Sequence, residues 1–208
     1  MDLARLHIQN DITEDGRTLK NQKGRKSSGR NVAAAFKTYR GTIATKPLGK
    51  VGQYYFEVQV YIFVKRMLRQ DLIFEVGISR KPEVDKNYTV DCHPHAWVVC
   101  ARRCPICRTI CLQAWHDGQR LYHRRIATAS APGTTVNATY GFLLDARNNQ
   151  WLIMDAVNRK YLYRFRNVDV SKSLWPVFGA YNPDLVNVSL TLQEGKDTAY
   201  ALEPPFNP

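Results

Sequence analysis

The chain lacks any apolar run of membrane-spanning length. Its longest apolar stretches, residues 60–64 and 96–101, fall far short of the ~20 residues a helical span needs, so none is expected. It lacks the motifs that carry common chemistries. There is no Gly-x-Ser-x-Gly elbow, no His-Glu-x-x-His and no Gly-x-Gly-x-x-Gly. A Gly-Arg-Lys-Ser-Ser stretch at 24–28 lacks the spacing that lets successive amides cradle a phosphate. His93, His95, His116 and His123 lie near cysteines in sequence, but no candidate base has an evident orienting partner. A non-enzyme is expected. The amino terminus has no apolar stretch of secretory length. Five cysteines, an odd number, suit a secreted disulfide scaffold poorly. The expectation is an intracellular protein, cytoplasmic with a weak nuclear-localisation patch, whose Asn-x-Ser/Thr matches at Asn87, Asn137 and Asn187 never meet the glycosylation machinery.

What is present is enough for a folded domain. The 208 residues are 44% hydrophobic and include 23 aromatics, which offsets the entropy of ordering a single domain. The formal net charge is +12, but it is not spread evenly. Between Arg17 and Phe56 there are ten Lys/Arg and no acid; from Val99 to Arg125 there are six Arg against Asp117. The rest of the chain is slightly acidic. Residues 20–30, with no apolar side chain, read as a basic mobile loop, either a solvated insertion or an arm for an anionic partner.

Strand signals dominate. Residues 54–62, 72–79, 96–102, 140–144, 150–154, 161–165, 175–180 and 186–192 are β-branched and aromatic, several with period-two alternation, and polar turns separate them. No capped amphipathic helix longer than about two turns interrupts them. The pattern predicts an all-β fold with little helix, a single-domain sandwich of two antiparallel sheets over residues 1–192, followed by a Pro-rich extended tail over 193–208.

Cys104-Pro105-Ile106-Cys107 sits inside a Cys-rich hairpin, 100–111. A tight Cys-Pro-x-Cys turn aims two thiolates at one ion, which makes Cys104 and Cys107 candidate zinc ligands. A hairpin centred between Pro105 and Ile106 pairs 104 with 107 and 100 with 111. The two pairs then stand ~13 Å apart, too far for one zinc to take all four sulfurs. A knuckle completed by Cys92, His93 or His95 stays open, as do disulfide chemistry and plain buried thiols.

The series Tyr54-Tyr55-Phe56-Glu57-Val58, Gly141-Phe142-Leu143-Leu144-Asp145 and Leu174-Trp175-Pro176-Val177 resembles, in order and spacing, a SPRY domain. Ile12 to Leu19, with Glu14-Asp15-Gly16, is similar to part of the PRY segment of B30.2-type modules. The resemblance runs from about residue 8 to 192 and implies a bent two-sheet sandwich without catalysis of its own. Such modules recognise a peptide segment or surface of a partner protein through loops at one end. They commonly select targets for ubiquitin ligases or act in innate immunity. The sequence shows no RING, B-box, coiled coil or SOCS box, so ligase linkage is expected through a larger parent or a partner.

The positions matching the family's peptide pocket are Trp115 before His116-Asp117-Gly118, and Tyr181 with Asn182. Lys37 or Arg40 is the nearest basic equivalent, and Arg147 in the turn after Asp145 is a further contact candidate. For Trp115 and Tyr181 core packing is the alternative; Trp97, Trp151 and Trp175 are assigned to the core. The runner-up function is RNA or DNA binding by the basic segments, through Lys23, Arg25, Lys26, Arg30, Arg102, Arg103, Arg108, Arg120, Arg124 and Arg125, with Trp115 and Tyr122 stacking on bases.

Overall fold

A computed structural model describes residues 1–22 and 34–193. Lys23, Arg25, Lys26 and Arg30 of the basic segment, and the tail from 194 onward, lie outside the described residues. Thirteen strands follow in chain order: β1 (Asp11–Ile12), β2 (Thr18–Lys20), β3 (Gly41–Ile43), β4 (Gln53–Val64), β5 (Leu72–Ser79), β6 (Ala96–Arg103), β7 (Ile110–His116), β8 (Gln119–Arg125), β9 (Thr135–Asp145), β10 (Gln150–Asp155), β11 (Lys160–Phe165), β12 (Trp175–Ala180) and β13 (Val186–Leu192). Leu3–Arg5 and Lys81–Lys86 form short 3-10 helices.

The strands form two antiparallel sheets, as the alternation pattern predicts. The first has the order β1-β2-β13-β4-β9-β10-β11 and the second β3-β12-β5-β6-β7-β8. Alternate residues of each strand face inward. Val58, Val60 and Ile62 of β4 and Phe142 and Leu144 of β9 meet Phe74, Val76 and Ile78 of β5, Trp97 and Val99 of β6 and Phe178 of β12 in one core. Its centre is aromatic. Phe142 stacks on Phe56 at 5.2 Å and on Trp151 at 5.7 Å, and Phe56 meets Phe178 of the other sheet edge-on at 6.1 Å.

The second sheet is buried on both faces around β5, all eight of whose residues are inaccessible. Its outer face is covered by Phe36 and Tyr39 from one segment and Val84 and Val90 from another, packed on Val98 and Val177. Asp85 locks the two covers together by accepting the backbone N–H groups of Lys37 (3.0 Å), Thr38 (2.8 Å) and Tyr39 (2.9 Å). Burial alone would raise the Asp85 pKa; the three amides outweigh it and hold the carboxyl below its ordinary value.

Three expectations need correction. Strand β8, Gln-Arg-Leu-Tyr-His-Arg-Arg, gives no strand signal because it is a charged edge strand without a buried residue, and β7, buried over its first five residues, extends past the Cys-rich hairpin to His116. The hairpin between β6 and β7 does not turn between Pro105 and Ile106. Arg108 takes a left-handed conformation (φ 56°), and Cys104 N–H donates to Thr109 O at 2.9 Å, so the loop is longer. Cys100 consequently pairs with Gln113 and Arg102 with Cys111, a register two residues away from the simple hairpin. Trp97 and Trp151 are buried as expected, whereas Trp175 is half-buried with the Lys81 ammonium 4.4 Å from its ring centre.

Replacing Phe142 by Ala removes the ring that stacks on both Phe56 and Trp151, and about 3–5 kcal/mol of stability is expected to go with it. Denaturant melts check this against Arg147→Ala, an exposed-turn control expected to stay within about 0.5 kcal/mol of the parent.

Candidate functional site

The β7–β8 hairpin turns on Asp117-Gly118, both left-handed at φ 49° and 69°, the geometry that suits strand twist in a two-residue loop. That turn fixes the faces of the preceding residues. Trp115 lies on the covered outer face of the second sheet, half-buried, where it packs against Leu72, Cys100 and Tyr181. Its indole N–H donates to Gln113 Oε1 at 3.0 Å, which sets the ring orientation. The Arg102 guanidinium lies 4.8 Å from the indole centre and donates to Asp91 Oδ2 at 2.6 Å.

Tyr181 forms the floor beside it. The ring is buried, its hydroxyl donates to Glu75 Oε1 at 2.6 Å, and Tyr88 tilts against it at 5.1 Å. Arg40 lies 5.4 Å from the centre of the Tyr88 ring. Trp115–Arg102 and Tyr88–Arg40 are thus two arginine–aromatic pairs on either side of one buried tyrosine. Tyr88 remains 42% exposed, so this patch offers apolar area and guanidinium donors together.

Beneath the patch sits a carboxyl. Glu75 is fully buried; Oε1 also accepts the Val90 N–H at 3.1 Å, and the buried Tyr39 hydroxyl approaches the same carboxyl. Burial, reinforced by the nearby Asp91 charge, pushes its pKa up to about 8, so the group is mostly uncharged at neutral pH. Burial likewise pushes the neighbouring Cys100 thiol up to about 12, which makes it an inert packing residue.

The structure unites some of the expected residues and separates others. Trp115, Tyr181 and Arg40 come together. His116 does not join them, because period-two alternation turns it to the opposite face. There its ring stacks on Trp97 at 4.9 Å, and Nδ1 is 2.9 Å from Ala96 O. Asn182 is spent on the turn after β12: at φ 52° it donates to Leu72 O at 2.7 Å and accepts from Leu185 and Val186. Lys37 is exposed near the patch and is held through its backbone by Asp85. Arg147 belongs to the β9–β10 turn of the other sheet. Tyr88, Glu75 and Gln113 were missed as site residues, and Arg102 was assigned to a different partner. The one available signal was Glu75, a lone carboxylate inside the otherwise apolar strand Leu72–Ser79.

The cysteines gather elsewhere. Cys104, Cys107, Cys111 and His123 bring one ligand atom each to within 4.8 Å of one another, while Cys100 lies under Trp115. The fourth member is His123 of β8, not Cys92, His93 or His95. A cleft of about 790 Å³ adjoins Cys107, between Arg124 and Arg125 on one side and Tyr140, Asp155 and Asn158 on the other.

Comparison with protein-family models gives no match, and no curated protein matches. Solved structures do. The PSpry domain of TRIM65 aligns over 93% of this chain and 88% of its own, with a TM-score of 0.66 at 19% identity. The chain has a SPRY-type fold. Stonustoxin aligns over 92% of this chain at a TM-score of 0.62 and 14% identity, this chain spanning 28% of the toxin's length. The SPRY domain of human HERC1 aligns over 90% of this chain at a TM-score of 0.48 and 16% identity. Within the SPRY frame, the β1–β2 hairpin carries the Glu14-Asp15-Gly16 turn. Gly16 is left-handed at φ 70°, and Thr13 Oγ1 donates to Asp15 Oδ1 at 2.6 Å.

A buried, uncharged Glu75 has a pH consequence. Its folded pKa of about 8 exceeds the ordinary 4.5, so the folded chain keeps a proton that the unfolded chain releases in that window. This contribution is fully present below about pH 4.5 and is lost as pH rises through about 8. Glu75→Gln cannot ionise, so its Tm should gain on the parent's across that window. A pH-independent difference between the two melting curves would refute a neutral Glu75.

Proposed function

We propose that the chain is a non-catalytic protein-interaction module that captures an extended, acidic peptide segment of a partner on the outer face of its second sheet. The observation that carries this reading is the pairing of Trp115 with Arg102 and Tyr88 with Arg40 around buried Tyr181. Tryptophan, tyrosine and arginine are the residues that dominate binding energy in protein interfaces, because large rigid rings give area while the guanidinium fork grips carboxylates and backbone carbonyls. Arg40 carries no carboxylate partner in its pair with Tyr88, which favours a ligand that brings its own negative charge. The SPRY fold supports the same role, since the family resemblance implies a binding module. It further supports a place as the target-recognition part of a ubiquitin-ligase or innate-immune assembly. The alternative, a nucleic-acid groove, draws less support. Arg102 is tied to Asp91, and Arg103 is tied to Ser130 and Arg69 O. The β8 register also sends Arg120 and Arg125 to one face of the strand and Arg124 to the other.

Panning the full chain against a random peptide library should select acidic sequences. Trp115→Ala should weaken a selected peptide about thirtyfold, the size of a ~2 kcal/mol hot spot, and Arg40→Ala by less. Arg147→Ala should leave affinity unchanged. Binding of RNA or DNA oligomers that is tighter, falls steeply with salt and ignores Trp115→Ala would overturn the reading in favour of the nucleic-acid alternative.

A further inference from the structure

We propose that Cys104, Cys107, Cys111 and His123 form a structural zinc site that clamps the edge strand β8 to the β6–β7 turn. One atom from each residue already lies within 4.8 Å of the others. A tetrahedral ion with Zn–S bonds near 2.3 Å requires ligand separations of about 3.8 Å. The pair Cys107 Sγ and His123 Nε2 stands at 3.6 Å, so only small side-chain rotations are needed to close the set.

The register is what builds the site. A regular two-residue turn would leave Cys111 two positions from where it stands. The left-handed Arg108 and the Arg108 N–H to Cys104 O bond of 2.8 Å lengthen the loop instead and fold Cys104 and Cys107 back over the strand. Cys111 of β7 stands opposite Arg125, and His123, two pairs along at Gln113, lies diagonally beside it on the same face. The amide of Cys107 donates to Cys104 Sγ at 3.4 Å, a bond that stabilises a thiolate rather than a thiol.

The donor set identifies the ion and its role. Three thiolates and one imidazole are soft-to-borderline ligands that select zinc, and four protein ligands leave no open position for substrate, so the site is structural. Binding forms three Zn–S bonds and one Zn–N bond and releases the thiol protons to solvent, with no oxidant or reductant required. The resulting centre carries one net negative charge, with Arg125 beside the thiols and Arg120 near His123. It also answers a weakness of the fold. Strand β8 is an edge strand whose residues are mostly exposed, so it gains little from burial. A metal cross-link supplies the anchoring that its side chains do not.

The test is metal content and metal-dependent protection of the full chain purified under reducing conditions. About one zinc per chain is expected, and cobalt substitution should give the visible charge-transfer and d–d bands of a tetrahedral thiolate site. Cys111→Ser and His123→Ala should each abolish stoichiometric zinc, and Cys92→Ser should retain it. Should a ligand variant fail to fold, the parent protein decides. Removing zinc with a strong chelator should lower its Tm and open Arg120, Arg124 and Arg125 to trypsin, and added zinc should reverse both. Failure of the stripped protein to take zinc from a chromophoric chelator, zinc retained in the Cys111→Ser/His123→Ala double variant, or a disulfide among the three cysteines would each overturn the assignment. Cys111, His123 and Trp115 share the outer face of the second sheet, so loss of zinc with peptide capture intact, or the converse, shows that the two sites act independently.

Discussion

The hydrogen bond from Tyr181 to Glu75 is the contact on which the outer face depends. Glu75 lies at the middle of β5, in a sheet buried on both sides, and its side chain ties the end of the neighbouring strand β12 to a covering loop that no ladder joins to β5. One oxygen takes the Tyr181 hydroxyl from the end of β12 and the Val90 amide from the covering loop. A charged carboxylate there would carry a large desolvation cost; a neutral one keeps its hydrogen bonds without it. The carboxyl therefore works as a pin. It holds Tyr181 flat as a floor and sets the height of the Val90 loop, and with it Tyr88 and Asp91 on either side.

Specificity is built outward from that pin in two layers. Asp85 gathers three amides of the 37–39 segment, which orients the following Arg40 toward Tyr88. Asp91 holds Arg102 over Trp115. Both arginines are thus positioned before any partner arrives, which lowers the side-chain ordering cost of binding. The face is a shallow, pre-organised platform, while the roomier cleft of about 790 Å³ lies at the far edge of the sandwich. A platform of this kind matches an extended segment better than a compact small molecule, which favours concave sites.

How much of this was legible in sequence follows from burial. Strands β4, β5, β6, β9, β10, β11, β12 and β13 bury one or both faces, and their apolar periodicity reveals them. Strand β8 buries almost nothing, so its sequence carries no such signal. The faces of neighbours were equally hard to read. Trp115 and His116 are adjacent in sequence, yet one belongs to the platform and the other stacks on Trp97 of the interior face. Only the strand assignment, fixed by the Asp117-Gly118 turn, decides which is which. The cysteine pattern failed for a conformational reason. Spacing alone assumes an ideal hairpin, whereas one residue at positive φ, Arg108, shifts the register and trades Cys100 for His123.

The same shift changes the meaning of the positive charge. Of the described arginines in the 99–125 segment, Arg103 is held by Ser130 and the Arg69 carbonyl, and Arg102 is held over Trp115 by Asp91. Arg125 lies beside the three thiols and Arg120 near His123. A zinc tristhiolate centre with one imidazole is an anion, and an anion at an exposed edge strand is stabilised by cationic neighbours. On the proposed zinc assignment, Arg120 and Arg125 would balance the metal centre locally and project less free charge toward a polyanion. Arg40 lies at the platform beside the Tyr88 ring, half-buried, with one guanidinium nitrogen buried and unpaired. On the proposed reading, a net charge of +12 is compatible with selection of a short acidic segment at one face.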